Sequence, residues 1–265
     1  MKNKTITAVI LDWAGTTVDY GCFAPVDAFM TAFRDFGIEP AREETRAPMG
    51  LAKRAHIEQM LGGARISALW REKHGRDFTQ EDVDAVYARF EPALFKVLAD
   101  HADPLPGCLE TAAALREAGI KTGSTTGYTR AMMDVVMPEA KKRGYEPDCV
   151  VCPDDVGGTG RPAPYMLWRN LEKLHIASIE EVLKVGDTAS DMQEARNAGC
   201  LAVGVLTGSS MVGLSRYELT AKTGVEREET FAAARRKYKE AGADFVIEDI
   251  TKLPRLIEDI TEGRA

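Results

Sequence analysis

Val9-Ile10-Leu11 is an apolar run that stops abruptly at a carboxylate, Asp12, and a Gly15-Thr16-Thr17 turn leads away from it. Continuous apolar runs of this kind suit a parallel strand buried on both faces. Asp12 then sits at the carboxyl end of the strand, where open α/β sheets place their ligands. From residue 20 to about residue 100 the period changes to a helical one. Pro25 to Phe36 is apolar-periodic and ends at Gly37; Pro48 opens a second helix that Gly62-Gly63 closes; Ile66 to Lys73 is a third, stopped by Gly75. Glu81 to Leu98 is a fourth, with Val83, Val86, Phe90 and Leu94 on one face.

Strand and helix patterns alternate after Pro104-Leu105-Pro106-Gly107. A helix over 108–118 precedes the short strand 120–127, which breaks into a polar Ser-Thr-Thr-Gly turn. A helix over 130–143, the strand 148–152, a Gly- and Pro-rich loop over 153–164 and a helix over 165–174 follow. Next come the strand 182–187, a helix, the strand 201–206, the loop 207–210, a basic helix over 231–241 and a late strand, 245–247. Alternation of this kind implies right-handed crossovers and an α/β fold with a doubly wound parallel sheet, Rossmann-like in its core. The run of helices after the first strand reads as an inserted all-helical cap domain over 21–100, the core domain being 1–20 and 101–265; ~80 residues can bury a core of their own.

Composition narrows the classes. The 265 residues are 45% apolar and 28% charged, ordinary for a globular protein. A net charge of −7 gives no general electrostatic footprint for nucleic acid or an anionic membrane, so neither is an expected partner. Met1 to Lys4 run straight into a strand without the apolar region and cleavage site of a secretory signal, and no run approaches the ~18 apolar residues of a membrane span. The expectation is a cytoplasmic enzyme. Five cysteines are an odd, scattered set, and Cys149-Val-Val-Cys152 lacks a second Cys or His pair, so it reads as strand rather than a zinc or redox site.

The candidate chemistry lies at strand ends: Asp12, Thr126, Arg161 on its loop, and Gly186-Asp187-Thr188-x-x-Asp191. A carboxylate placed like Asp12 can attack phosphorus, coordinate a cation, or do both. Thr126 and Asp187 could each instead cap a helix, Asp191 could be a first-turn acid favoured by the helix dipole, and Arg161 a surface arginine. Met49, Lys53, His56 and Met60 follow an i, i+4, i+7, i+11 course along the helix opened at Pro48. Spacing alone also fits a salt-bridged lysine beside a partly buried histidine. Cys22, just after the loop that follows Asp12, reads first as packing, and Asp154-Asp155 as lying at the margin of the candidate site or in a solvated loop.

Asp12-x-x-Gly15-Thr16 resembles the nucleophile motif of the haloacid dehalogenase superfamily of phosphoryl-transfer enzymes, and the four strand-end groups match its four motifs in order. Its phosphatases usually carry a second Asp where this chain has Ala14. That departure, with Met-Gly-Leu-Ala-Lys-Arg-Ala-His over 49–56, is similar to the phosphonatase family, over nearly the whole chain. The resemblance implies hydrolysis of a carbon–phosphorus bond in a small phosphonate, phosphonoacetaldehyde, through a Schiff base on Lys53 and an aspartyl phosphate on Asp12. It implies Mg²⁺ held by Asp12, the Ala14 carbonyl and Asp187, with Asp191 behind them, and Thr126, Gly127 and Arg161 on the phosphoryl group. It further implies Met49, Cys22 and Tyr128 around the substrate, His56 as proton shuttle with Tyr128, and a homodimer. Ala14 fits such a reaction, which has no leaving oxygen to protonate. The alternatives are a Mg-dependent phosphatase of the same superfamily and a non-catalytic binding relative.

Overall fold

The structure, a computed structural model, describes residues 5–265; Met1 to Lys4, read above as leading into the first strand, lie outside the described residues. Six strands form one sheet: β1 (Ala8–Leu11), β2 (Lys121–Thr125), β3 (Cys149–Val151), β4 (Val182–Gly186), β5 (Leu201–Val205) and β6 (Phe245–Ile247). All neighbouring pairs are parallel and the order is β3-β2-β1-β4-β5-β6. This is the doubly wound arrangement, and its order reverses between β1 and β4, the crevice where such sheets bind ligands. Alternation along β1 sends Ala8 and Ile10 into one apolar cluster, with Leu167, Met192 and Tyr238. Val9 and Leu11 go into another, with Leu115, Leu253 and Ile257. Both faces are covered, which is why β1, β3, β5 and β6 are apolar; β2, Lys-Thr-Gly-Ser-Thr, is polar, and β4 carries Lys184 at its centre.

Five helices lie between β1 and the next crossover: α1 (Phe23–Asp35), α2 (Arg42–Arg46), α3 (Lys53–Gly62), α4 (Ala64–His74) and α5 (Gln80–Phe95). Phe29, Phe33, Ile57, Trp70, Val83, Val86, Phe90 and Leu94 pack together in this layer, in a cluster that continues through Trp13, Met132 and Tyr145 of the sheet side. The remaining helices flank the sheet: α6 (Cys108–Glu117), α7 (Arg130–Lys142), α8 (Tyr165–Leu174), α9 (Ala189–Ala198), α10 (Arg216–Ala221), α11 (Gly224–Ala241) and α12 (Leu253–Thr261).

Three expectations are corrected. The helix read from Pro48 starts at Lys53; Gly50, at φ +91°, takes the left-handed region that a helix cannot continue through. Met49 therefore lies on a turn, not one helical turn before Lys53. The helix read from Phe231 starts at Gly224, because Thr223 and Glu226 form a capping box there. Helices α2, α10 and α12 were not expected. For α12 the apolar course Leu253, Leu256, Ile257, Ile260 carried the helical period.

Candidate active site

Four strand ends converge at the crevice. Asp12 follows β1, Thr126 follows β2, Asp187 follows β4, and the loop after β3 brings in Arg161. The buried Arg161 guanidinium donates from Nη2 to Asp12 Oδ1 (2.6 Å) and to the Thr125 carbonyl (3.1 Å), and from Nη1 to Asp191 Oδ1 (2.6 Å). Burial works against the charge on Asp12, but Arg161 and Lys184 outweigh it and hold the carboxyl below its usual range. Asp12 is thus an ionised carboxylate at neutral pH. Arg161 is a buried, paired guanidinium and not the surface arginine weighed above.

The helix-cap alternatives resolve in the same geometry. Thr129, not Thr126, caps α7 by accepting from Met132 N. The Thr126 hydroxyl accepts from Tyr128 N at 3.1 Å, which leaves its own proton free to donate. Thr188, not Asp187, caps α9, and Asp191 completes the box: Asp191 Oδ2 accepts from Thr188 N (3.1 Å) and Oγ1 (2.5 Å). With Oδ1 taken by Arg161 and Lys184, both Asp191 oxygens already have protein partners. Asp187 is fixed from the far side, Oδ2 accepting from Ser210 N (2.7 Å) and Oδ1 from Thr16 (3.4 Å). Gly15, at φ +85°, lets the backbone pass against Asp187; a Cβ there would lie 2.3 Å from Oδ2.

Oxygens of Asp12, Asp187 and Asp191, all buried, lie within 4.8 Å of one another, a group that can hold a metal ion. The charges fit one. Burial first, then the neighbouring Asp12 and Asp191, push the Asp187 carboxyl well up. Four buried carboxylates (Asp12, Asp187, Asp191, Glu194) face two cations paired within the cluster, Arg161 and Lys184. With all four ionised the surplus is two negative charges, which a divalent cation would neutralise, and hard oxygen donors suit such an ion.

Asp12, Ala14, Cys22, Met49, Lys53, Thr126, Gly127 and Tyr128 line one small cavity of about 20 Å³; His56, Arg161, Asp187 and Asp191 are not among its lining residues. Lys53 is buried, its ammonium 4.7 Å from the Tyr128 ring centroid and 5.9 Å from that of Phe29. Burial lowers its pKa and the positive charge of Arg161 works the same way, with Asp12 opposing. His56, three residues on along α3, is fully buried and stacked on Phe29 at 3.9 Å. Its Nε2 lies 2.8 Å from the Thr45 carbonyl; a carbonyl only accepts, so Nε2 carries the proton and Nδ1 is the acceptor, without a hydrogen-bond partner among the described residues. Burial, then the charge of Lys53, hold its pKa well below the usual value, so the ring is neutral. Cys22 packs with Val26, Met30 and Met49, and burial pushes its thiol well up, leaving it protonated.

Asp154 and Asp155 stand apart from this group: Asp154 accepts from Arg130 N at 3.1 Å and Asp155 pairs with the Arg130 side chain, anchoring the start of α7. Sequence reasoning missed Lys184, Glu194, Thr125 and Ser210. Lys184 had a signal, a charge in the middle of the otherwise apolar β4, and Glu194 lies one helical turn after Asp191. Ser210 had none, since its backbone N–H and its hydroxyl reach Asp187 across 23 positions with no local pattern linking them.

A family model described as haloacid dehalogenase-like hydrolase matches residues 6–199. A protein of Lysinibacillus sphaericus named phosphonoacetaldehyde hydrolase is 49% identical over 98% of this chain and 97% of its own. One of Bacillus cytotoxicus with the same name is 48% identical over 96% of each. The crystal structure of a phosphonoacetaldehyde hydrolase-like protein from Oleispira antarctica superposes with a TM-score of 0.95 at 36% identity, covering 99% of this chain and 95% of that one. Motifs, fold and relatives agree: the chain belongs to the haloacid dehalogenase-like hydrolases, in their phosphonoacetaldehyde hydrolase branch.

Proposed function

We propose that the protein hydrolyses the carbon–phosphorus bond of phosphonoacetaldehyde to acetaldehyde and phosphate. The observation that carries this reading is that an ionised Asp12 and a desolvated Lys53 line the same small cavity. One group suits phosphorus and the other an aldehyde, and both are needed. A carbon–phosphorus bond breaks heterolytically only if the departing electron pair has somewhere to go. The Lys53 amine adds to the aldehyde and water leaves, giving an iminium two bonds from phosphorus. Asp12 then attacks phosphorus, and the bonding pair moves into the iminium to leave an enamine. Water releases phosphate from the aspartyl phosphate; protonation of the enamine carbon and hydrolysis free acetaldehyde and Lys53.

The other residues are given roles that their geometry supports. Arg161 and the Thr126 hydroxyl hold phosphoryl oxygens, with the Gly127 amide beside them. His56, its Nδ1 free and its ring neutral, takes and returns the protons of imine formation. The divalent ion is proposed to be Mg²⁺, held by Asp12, the Ala14 carbonyl and Asp187, with Asp191 as its support; bound there, it supplies charge neutralisation to the phosphoryl oxygens. Helices α1 to α5 are proposed to act as a cap domain over the crevice. The family's homodimer, expected through the caps, is also proposed here. Five unpaired cysteines support a reducing, cytoplasmic setting.

Borohydride added during turnover should trap a secondary amine on Lys53, located by peptide mapping, and inactivate the enzyme. Lys53→Arg keeps the charge but cannot form the imine, so it should bind a phosphonate and lose cleavage. Label on another lysine, or near-normal turnover by Lys53→Arg, would return the chain to the phosphatase reading.

A further inference from the structure

Lys184 stands in the middle of β4, in register with Ile10 of β1 and Ala202 of β5, and is fully buried. A charge in the centre of a parallel sheet persists only with partners. Its ammonium donates to Thr125 Oγ1 (2.9 Å) and lies 2.9 Å from Asp191 Oδ1 and 3.6 Å from Glu194 Oε2. Arg161 uses the same two carboxylate oxygens, Nη1 at 2.6 Å from Asp191 Oδ1 and Nε at 3.7 Å from Glu194 Oε2. Thr125 closes the ring: its hydroxyl donates to Glu194 Oε2 at 2.9 Å and its carbonyl accepts from Arg161 Nη2 at 3.1 Å. Two cations and two carboxylates thus alternate behind the crevice, all four side chains without solvent contact.

We propose that Lys184 is a positioning residue for Arg161, holding Asp191 and Glu194 back so that the outer nitrogen of the guanidinium stays turned toward Asp12 and the phosphoryl group. Two atoms of the ring are poised to rearrange. Arg161 Nε and Glu194 Oε1 are both buried without a hydrogen-bond partner among the described residues. Lys184 and Thr125 hold the Glu194 carboxylate one step short of Nε. Without the ammonium, Arg161 is the remaining cation for both carboxylates, and Glu194 closes onto Nε and draws the guanidinium back from Asp12. The positive charge then serves the ring instead of the substrate.

This inference rests on Arg161 being the phosphoryl-binding cation, which Arg161→Met tests alone: unchanged binding of inorganic phosphate by that variant defeats the reading underneath and this inference with it, whereas weakened binding leaves Lys184 to its own test. The test of Lys184 compares wild type, Lys184→Met and the charge-balanced Lys184→Met/Glu194→Gln, each with Mg²⁺ present. Calorimetric affinity for inorganic phosphate, kcat, KM, thermal midpoint and borohydride trapping on Lys53 are measured. Lys184→Met should weaken phosphate binding and lower kcat by about tenfold or more, with the Lys53 trap retained. The double variant should recover phosphate affinity to within about threefold of wild type. If Lys184→Met does not fold, the double variant carries the test, since it removes one charge of each sign. A folded Lys184→Met with native phosphate affinity, whatever its thermal midpoint, overturns the proposal and leaves a scaffold residue. A double variant that is unfolded or no better than the single one overturns it too.

Discussion

Ala14 shows how one side chain sorts two chemistries. It lines the cavity beside Asp12 and has no acidic group to offer a leaving oxygen. In the proposed reaction the leaving atom is carbon, its electrons already accepted by the iminium, so an acid there has no task. Ala14→Asp should therefore not raise turnover of phosphonoacetaldehyde. It should lower it by about tenfold, by adding a carboxylate to a cluster already crowded enough to push Asp187 up. Slow hydrolysis of phosphate monoesters should appear. Steady-state assays with both substrates decide this, and a faster phosphonate reaction would refute the account of Ala14. Residues of this kind were legible in the sequence because each ends a strand or departs from a motif. Lys53 and His56 were legible as a helical pair. Their states were not: that Nδ1 of His56 is the free nitrogen follows from the Thr45 carbonyl, and that Lys53 faces aromatic rings follows from Tyr128 and Phe29.

At the scale of elements, the two crossings between the sheet and the helices α1 to α5 are tied to each other. Asp19, at φ +55°, leaves β1's loop, and both its carboxylate oxygens accept from the first turn of α1, from Phe23 N and Ala24 N at 3.2 Å. The same carboxylate meets His101 Nδ1 of the returning segment at 2.9 Å. The hydrogen bond that His101 donates to Asp19 raises the pKa of the imidazole above its usual value, with burial opposing. A group whose folded pKa is raised stabilises the fold in full below its unfolded pKa, ~6.5, and loses that contribution as pH rises through the folded value. With the imidazole about a third exposed, the pair is worth ~1 kcal/mol after screening. Wild type should melt about 2–4 °C above His101→Gln at pH 5.5, and the gap should narrow toward pH 9. A gap independent of pH would mean that packing, not charge, is the contribution of His101. Neither partner was read from the sequence, since 82 positions separate them and no local period links a loop aspartate to a loop histidine.

The whole molecule raises a question of access. The sheet topology and the helical layer were legible because each rests on a repeated period, while their fit to each other rests on a few close approaches. A Cβ on Gly127 would lie 2.6 Å from the Leu51 carbonyl, and Ser190 Oγ donates to the Met49 carbonyl at 3.4 Å. The turn before α3 therefore sits directly on the loop after β2, the one proposed to bind the phosphoryl group. What remains between them is a cavity of about 20 Å³, room for roughly one water and not for a phosphonate aldehyde. The proposed cap action therefore predicts that the helical layer swings away to admit substrate and returns, closing water out as Lys53 meets the aldehyde. The joint that must open passes between Ala52 and Gly160, where a Cβ built on Gly160 comes 3.2 Å from that of Ala52. This is close to the Cβ separation of a disulfide, ~3.5–4.5 Å. Ala52→Cys/Gly160→Cys should form that bridge under mild oxidation, verified by mass, and turnover should then fall by at least about a hundredfold. Thiol reductant should restore the rate of the same sample, while wild type, with its five free cysteines, treated in parallel should be little changed. Oxidised, fully bridged protein that turns over as fast as its reduced form would show that substrate reaches Asp12 and Lys53 without the layers parting, and the access route would have to be sought along the groove between α2 and α11 instead.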